Sequence, residues 1–151
     1  MTGRHIVVHH CRPGLIEPDL FMPDDVVFFD DCLYSQYRFF MENAERMRGM
    51  SVVFAFSPGL LRRGGTPPID DVDSAEVHAA VNMRMKTWLD PPPDQVRAFM
   101  SAGELHQLEK FKDVRLALHG CVHLRLQDVP RKVDRLAMFR RDVEDAVKLA
   151  A

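Results

Sequence analysis

The chain has few cysteines, little net charge and no long apolar run. Its three cysteines, Cys11, Cys32 and Cys121, are an odd number, which argues against a disulfide framework. They form no Cys-x-x-Cys pair, which excludes a four-cysteine zinc site. A formal net charge of -2 argues against a basic surface for nucleic acid or an anionic membrane. The longest apolar stretches, at 26–29 and 52–56, are too short to span a bilayer. We therefore expect neither a nucleic-acid partner nor a membrane partner.

The remaining composition is that of an ordinary globular protein. The 151 residues are 46% hydrophobic and 28% charged, which suits one domain with a sizeable core. The first ten residues lack the apolar core of a signal peptide. We expect a single domain over 1–151 that is soluble and cytoplasmic.

Short apolar runs alternate with segments of helical periodicity. The run at 26–29 is continuous, which predicts a strand covered on both faces. Ser101 and Glu104 have the spacing of a capping box. The alternation predicts an α/β fold with a mainly parallel sheet. The predicted strands lie at 5–10, 26–29, 51–56 and 114–118. One helix is predicted to begin near Leu33 and a second near Asp73. A third lies within 94–111. The last begins near Pro130, and its residues expected to face inward are Val133, Leu136, Val143 and Val147.

Polar side chains that can carry chemistry follow each predicted strand. Parallel α/β folds bind ligands at the carboxyl ends of their strands, so residues far apart in sequence are expected to meet there. These residues are His9 and His10 after the first strand, Asp30 and Asp31 after the second, Ser57 after the third, and His119 and His123 after the fourth.

The histidine pair and the aspartate pair together indicate a metal site. His119 and His123 are four residues apart, which places both rings on one side of a helical turn. Two histidines and one carboxylate leave a fourth position open, as in catalytic zinc sites. One aspartate would bind the metal and the other would act as a base. The alternative interpretation is an aspartate pair in a turn beside two unrelated histidines.

The same two motifs resemble those of the polysaccharide deacetylase family, whose domain is also called the NodB homology domain. The family's Thr-Phe-Asp-Asp-Gly motif corresponds to residues 28–32, and its His-Ser/Thr-x-x-His motif corresponds to residues 119–123. The resemblance covers nearly the whole chain. It implies a shortened or incomplete (β/α) barrel that lacks the family's C-terminal motifs.

The resemblance also implies an activity and the roles of four residues. Asp30 would be the general base, while Asp31, His119 and His123 would bind a divalent metal, usually Zn²⁺. The implied reaction is hydrolysis of an N-acetyl group from an amino sugar or glycan.

The sequence departs from the family at several positions. Cys32 replaces the motif glycine and Gly120 replaces the serine or threonine. The family's later motifs supply an arginine that orients the base and a histidine that acts as the general acid. No equivalents of these residues follow His123. His9 or His10 can replace that acid, and we assign the role to His10. Because Cys32 and Cys121 adjoin the motifs, each is either a thiolate ligand or a small packed cysteine.

Two further interpretations compete with the enzyme. The first is a non-catalytic module of the same fold that binds a glycan or a protein partner, which the missing later motifs favour. The second is a structural subunit of a homo-oligomer, because a four-stranded parallel sheet has open edges that need cover. Retention of all four motif residues favours the enzyme.

Overall fold

Four strands and three α-helices make up the part of the chain that the structure describes. The computed structural model describes residues 3–9, 11, 16–63, 65–69, 97–120 and 135–150. Short 3₁₀ helices cover Pro18–Leu20 and Pro58–Leu60. The strands are β1 (His5–Val8), β2 (Val26–Phe29), β3 (Ser51–Phe56) and β4 (Val114–Leu118), and the helices are α1 (Tyr34–Asn43), α2 (Ala102–Leu108) and α3 (Arg135–Ala150).

The four strands form one parallel sheet in the order β1-β2-β3-β4. Each connection therefore moves one strand further in the same direction. An order without a reversal is that of a singly wound sheet. A doubly wound sheet would instead reverse direction at a switch point. The predicted α/β fold with a parallel sheet is confirmed.

One face of the sheet forms the core. Val27, Phe29, Val52 and Phe54 are fully buried on it. The rings of Phe29 and Phe54 stack with centroids 4.8 Å apart, and Phe40 of α1 meets Phe54 edge-on at 5.6 Å. Aromatic pairs of these geometries add to the stabilisation from burial. The same cluster contains Met47, Met50, Leu105, Leu108 and Val114.

The opposite face of the sheet is less covered. Val7 is 53% exposed, and Val26, Phe28 and Val53 are partly exposed. The prediction that β2 is covered on both faces is therefore wrong for its second face. A continuous apolar run shows that both faces tolerate burial, but it does not show what packs on each.

The sequence prediction placed the strands more accurately than the helices. The bounds of β2, β3 and β4 coincide with those predicted. The predicted helix within 94–111 is wrong at residues 97–101, where a turn at 97–98 is followed by bridges from Phe99 to Leu33 and from Ser101 to Arg62. Hydrogen bonds to neighbouring segments, such as Met100 N to Cys32 O at 2.9 Å, override local helix propensity there. The helix predicted near Asp73 lies outside the described residues.

The side of helix α3 that is buried differs from the side that the sequence predicts. Leu136, Val143 and Val147 were expected inward, yet they are 59%, 42% and 55% exposed. The helix approaches the 3₁₀ helix at 58–60, and its buried residues are Asp142 and Ala146. Periodicity identifies which residues share a side of a helix, whereas the surrounding elements decide which side is covered. Val133 lies outside the described residues.

No helix in the described part of the chain is both long and apolar enough to cross a membrane.

Candidate functional site

The candidate site lies where the parallel strands end. His9 follows β1, Asp30 and Asp31 follow β2, Ser57 follows β3 and His119 follows β4. All four strands run in one direction, so these residues share the carboxyl edge of the sheet. The predicted gathering of imidazoles and carboxylates at this edge is confirmed for these residues.

Two consecutive residues after β2 have left-handed backbone conformations. The φ angles are 78° at Asp31 and 58° at Cys32. This region costs an L residue about 1–2 kcal/mol, and glycine is its usual occupant. Cys32 therefore adopts a tight backbone conformation that glycine usually occupies. The turn directs the chain from β2 toward the start of α1.

The Asp31 carboxylate lies between two histidines from the two edge strands of the sheet. Asp31 is only 4% exposed. Its Oδ2 is 3.4 Å from His9 Nδ1, and its Oδ1 is 3.9 Å from His119 Nε2. The His9 side chain is 57% exposed and that of His119 is 34% exposed. A buried carboxylate thus faces two imidazoles that solvent can reach.

Backbone contacts fix His119 at the end of β4. Its N–H donates to Phe56 O at 2.8 Å, which continues the β3–β4 ladder by one residue. The hydroxyl of Ser57, itself buried, donates to His119 O at 2.9 Å. Gly120, the next residue, has a φ of 76°. The polar residue that follows β3 thereby positions the histidine that follows β4.

Asp30 is held through its backbone. Its N–H donates to Val8 O at 3.1 Å and extends the β1–β2 pairing. Its side chain is partly exposed, in contrast to the buried Asp31. Two adjacent aspartates therefore have different environments, which is the arrangement that allows one to bind and the other to move a proton.

Gln36 is the residue of the site that sequence reasoning missed. It is fully buried, and its Nε2 donates to Val8 O at 3.1 Å, to His9 O at 3.4 Å and to Asp30 O. Its Oε1 accepts from Leu33 N at 2.8 Å. One amide thus ties the ends of β1 and β2 to the start of α1. The signal was a glutamine on the apolar side of the predicted helix, three residues after Leu33 and four before Phe40.

Cys32 is packed rather than exposed as a ligand. It is 1% exposed, and burial raises the pKa of its thiol far above the ordinary value, with Glu104 and Asp31 adding to the effect. The thiol therefore stays protonated at neutral pH. Of the two interpretations for Cys32, the small packed cysteine is the one that the geometry supports. Cys121 lies outside the described residues.

The buried Arg62 side chain supports residues 97–101, which lie beside the left-handed turn at Asp31 and Cys32. Arg62 Nη2 is 2.5 Å from Glu104 Oε1, its Nε donates to Phe99 O at 3.2 Å, and its guanidinium lies 5.6 Å from the centre of the Tyr34 ring. The Ser101–Glu104 capping box is confirmed, with Ser101 N to Glu104 Oε2 at 2.7 Å. These contacts hold residues 97–101 against Cys32 and the start of α1.

A groove of about 540 Å³ runs along β1 and reaches the site at His9. Val8 and Phe21 form buried parts of its wall, and Arg4 lies at the far end. The groove therefore offers a mainly apolar surface next to the two aspartates. Its remaining lining residues are Ile6, Val7, Ile16 and Leu20.

Two of the predicted site residues, His10 and His123, lie outside the described residues. In the described ranges, no three side chains of histidine, cysteine, aspartate or glutamate are grouped as a metal site requires. The described site thus contains two of the three predicted ligands, Asp31 and His119, and the predicted base, Asp30.

Comparison of the chain with protein-family models, with curated proteins and with solved structures found no match.

Proposed function

We propose that this protein is a metal-dependent hydrolase that removes an N-acetyl group from an amino sugar or a glycan, as the polysaccharide deacetylases do. The observation that carries the proposal is the position of the Asp31 carboxylate. It is buried at the carboxyl edge of a parallel sheet, 3.4 Å and 3.9 Å from imidazoles that follow the two edge strands.

The donor set fits a divalent cation. The Asp31 carboxylate and the His119 imidazole, 3.9 Å apart at Oδ1 and Nε2, are ligand types that Zn²⁺ takes in catalytic sites. We assign Asp31 and His119 as ligands, with His123 as the third ligand that the resemblance implies. A Zn²⁺ ion held by these residues would supply Lewis acidity toward an amide carbonyl.

The chain's own residues supply the proton transfers. Asp30 accepts a proton from the water that attacks the amide carbon, and its partial exposure leaves it accessible to that water. His9 donates a proton to the leaving nitrogen, because Asp31 orients its ring through Nδ1 while the ring stays more than half exposed. We therefore move the acid role from His10 to His9. The C–N bond breaks, and the products are acetate and the free amine.

The strand order supports the barrel-type fold that this function implies. A singly wound order of parallel strands is the order that curls into a (β/α) barrel. Strands lie about 4.8 Å apart, so His9 and His119 follow strands about 14 Å apart across a flat sheet. That both approach one carboxylate favours a curled sheet. We infer a shortened or incomplete barrel of the deacetylase type.

Acetate release tests the proposal directly. The probe is a chito-oligosaccharide of N-acetylglucosamine, incubated with the zinc-supplemented protein. We expect acetate release, and we expect Asp30→Asn to lower kcat by about 100-fold or more, since it removes the proton acceptor.

The matched control is Asp19→Asn, which changes an aspartate that is 87% exposed at its side chain and remote in the fold. This variant should retain the wild-type rate. A wild type that binds zinc yet releases no acetate from N-acetylated sugars would contradict the catalytic proposal and support the binding module instead. Equal rates in Asp30→Asn and wild type would contradict the role of Asp30.

A further inference from the structure

Helix α3 exposes a row of large apolar side chains. Leu136, Phe139, Val143 and Val147 are 59%, 46%, 42% and 55% exposed. We call these four residues the α3 stripe. Single exposed apolar residues are ordinary, but four in a row along one helix indicate a contact surface.

Helical geometry places the four residues on one side of α3. At about 100° per residue, Leu136, Phe139 and Val147 all lie within about 40° of Val143 around the helix axis. Their spacings of three, four and four residues are those of a helix that packs on another helix. The buried side of α3 is a different one, marked by Asp142 and Ala146. The stripe is therefore presented outward while the helix stays attached to the protein.

The charges beside the stripe indicate what covers it. Arg140 and Glu144 lie on the same flank, about 60° and 100° around the axis from Val143. In two copies of α3 packed antiparallel about a two-fold axis through Val143, like flanks face each other. Arg140 of each copy then lies about one turn or less from Glu144 of the other, which gives two equivalent ion pairs.

We propose that the α3 stripe is the interface of a homodimer in which two copies of this chain pack α3 against α3 in antiparallel orientation. A parallel pair would instead set the Arg140 flank against the opposite flank, where Arg135 carries a like charge and Asp142 is buried against its own chain. The antiparallel pair also places opposite ends of the two helix dipoles together. The dimer forms whether or not the proposed hydrolase activity is present, since the stripe and the site share no residue.

The interface is small, so the dimer should be weak. A 16-residue helix is about 24 Å long, and one helix pair of that length falls at the low end of specific interfaces. We expect a dissociation constant on the order of 10 µM. Sedimentation of the full chain over a concentration series should show a shift from one to two chains per particle.

The first test places a charge in the stripe. In Val143→Glu, two carboxylates meet at the two-fold axis, and the dissociation constant should rise about tenfold or more. Leu149→Glu is the control, because Leu149 is 63% exposed but lies about 120° from Val143 around the axis. It should dimerise like wild type. Circular dichroism checks that both variants keep their helices, as expected for exposed positions.

The second test fixes the orientation. Arg140→Glu alone and Glu144→Arg alone should each weaken the dimer, and the double variant should restore it. A wild type that stays monomeric at about 200 µM would overturn the proposal, since that is well above the expected dissociation constant. A dimer that Val143→Glu leaves intact, or that Leu149→Glu weakens equally, would also overturn it. Failure of the double variant to recover would overturn the antiparallel arrangement.

Discussion

Asp31 and Cys32 hold the least favourable backbone conformations among the described non-glycine residues, and they hold them side by side. Strain of this kind persists where the surroundings enforce it, and it concentrates at functional sites. Here the surroundings are the fully buried Gln36 amide and the hydrogen bond from Met100 N to Cys32 O. The result is that the Asp31 carboxylate lies between His9 and His119 instead of pointing into solvent.

Gln36 gives a prediction at the scale of one residue. Gln36→Leu keeps much of the side-chain volume but leaves the Leu33 N–H and the Val8 and Asp30 carbonyls without the amide. Val8 O keeps its hydrogen bond from Asp30 N. Each buried polar group that loses its partner costs about 1–3 kcal/mol, so the free energy of unfolding should fall by about 2 kcal/mol or more. Urea denaturation measures the loss.

The control for this substitution is Gln107→Leu. Gln107 is exposed and accepts one hydrogen bond, from the Tyr37 hydroxyl. Its loss should cost at most about 1 kcal/mol. If the Gln36 variant were no less stable than the Gln107 variant, Gln36 would not be the residue that holds the site together.

At the scale of elements, an ion pair joins the starts of β1 and β2. Arg4 Nη2 is 2.5 Å from Asp25 Oδ2, Arg4 Nε donates to Asp25 Oδ1 at 3.0 Å, and Met22 N donates to Oδ2 at 2.7 Å. Asp25 itself is 2% exposed. The hydrogen-bonded Arg4 guanidinium holds the pKa of the Asp25 carboxyl well below its usual range. Desolvation raises this pKa, but by less than Arg4 lowers it. The strand pair is therefore stabilised by an ionised aspartate.

This pairing predicts an acid sensitivity with a definite sign. The folded pKa of Asp25 lies below that of the unfolded chain, so its contribution is fully present above about pH 4 and is lost as the pH falls toward the folded value. Between pH 6 and pH 3, the Tm of wild type should fall more than that of Asp25→Asn. Asp24→Asn, at the exposed neighbouring position, should follow wild type. Parallel Tm curves for wild type and Asp25→Asn would contradict this role.

Sequence patterns predicted the bounds of the strands better than they predicted which segments pack against each element. The segments at 26–29, 51–56 and 114–118 become strands with those bounds, because each is a short, mainly apolar segment followed by polar or turn-forming residues. The bridges at Phe99 and Ser101 depend on hydrogen bonds to distant residues, which no local pattern contains. The outward side of α3 likewise depends on which surface the helix meets.

At the scale of the whole molecule, the sequence predicted which residues gather but not how they meet. Strands that all run one way bring His9, Asp31 and His119 to one edge, and the α/β alternation was enough to predict that. The distances of 3.4 Å and 3.9 Å depend on the left-handed turn and on Gln36, which the pattern of apolar residues does not encode. The acid role predicted for His10 is now proposed for His9, and the metal-binding role of His123 stays a prediction.

Zinc binding is the measurement that tests the central claim most directly. Elemental analysis after dialysis against zinc should find about one ion per chain in wild type and far less in Asp31→Asn and His119→Ala, since each removes one ligand. His106→Ala is the control, because His106 is an exposed histidine that pairs with Glu109 on the surface. It should bind zinc like wild type. A wild type that retains no zinc, or one whose zinc survives both substitutions, would contradict a metal site at Asp31 and His119.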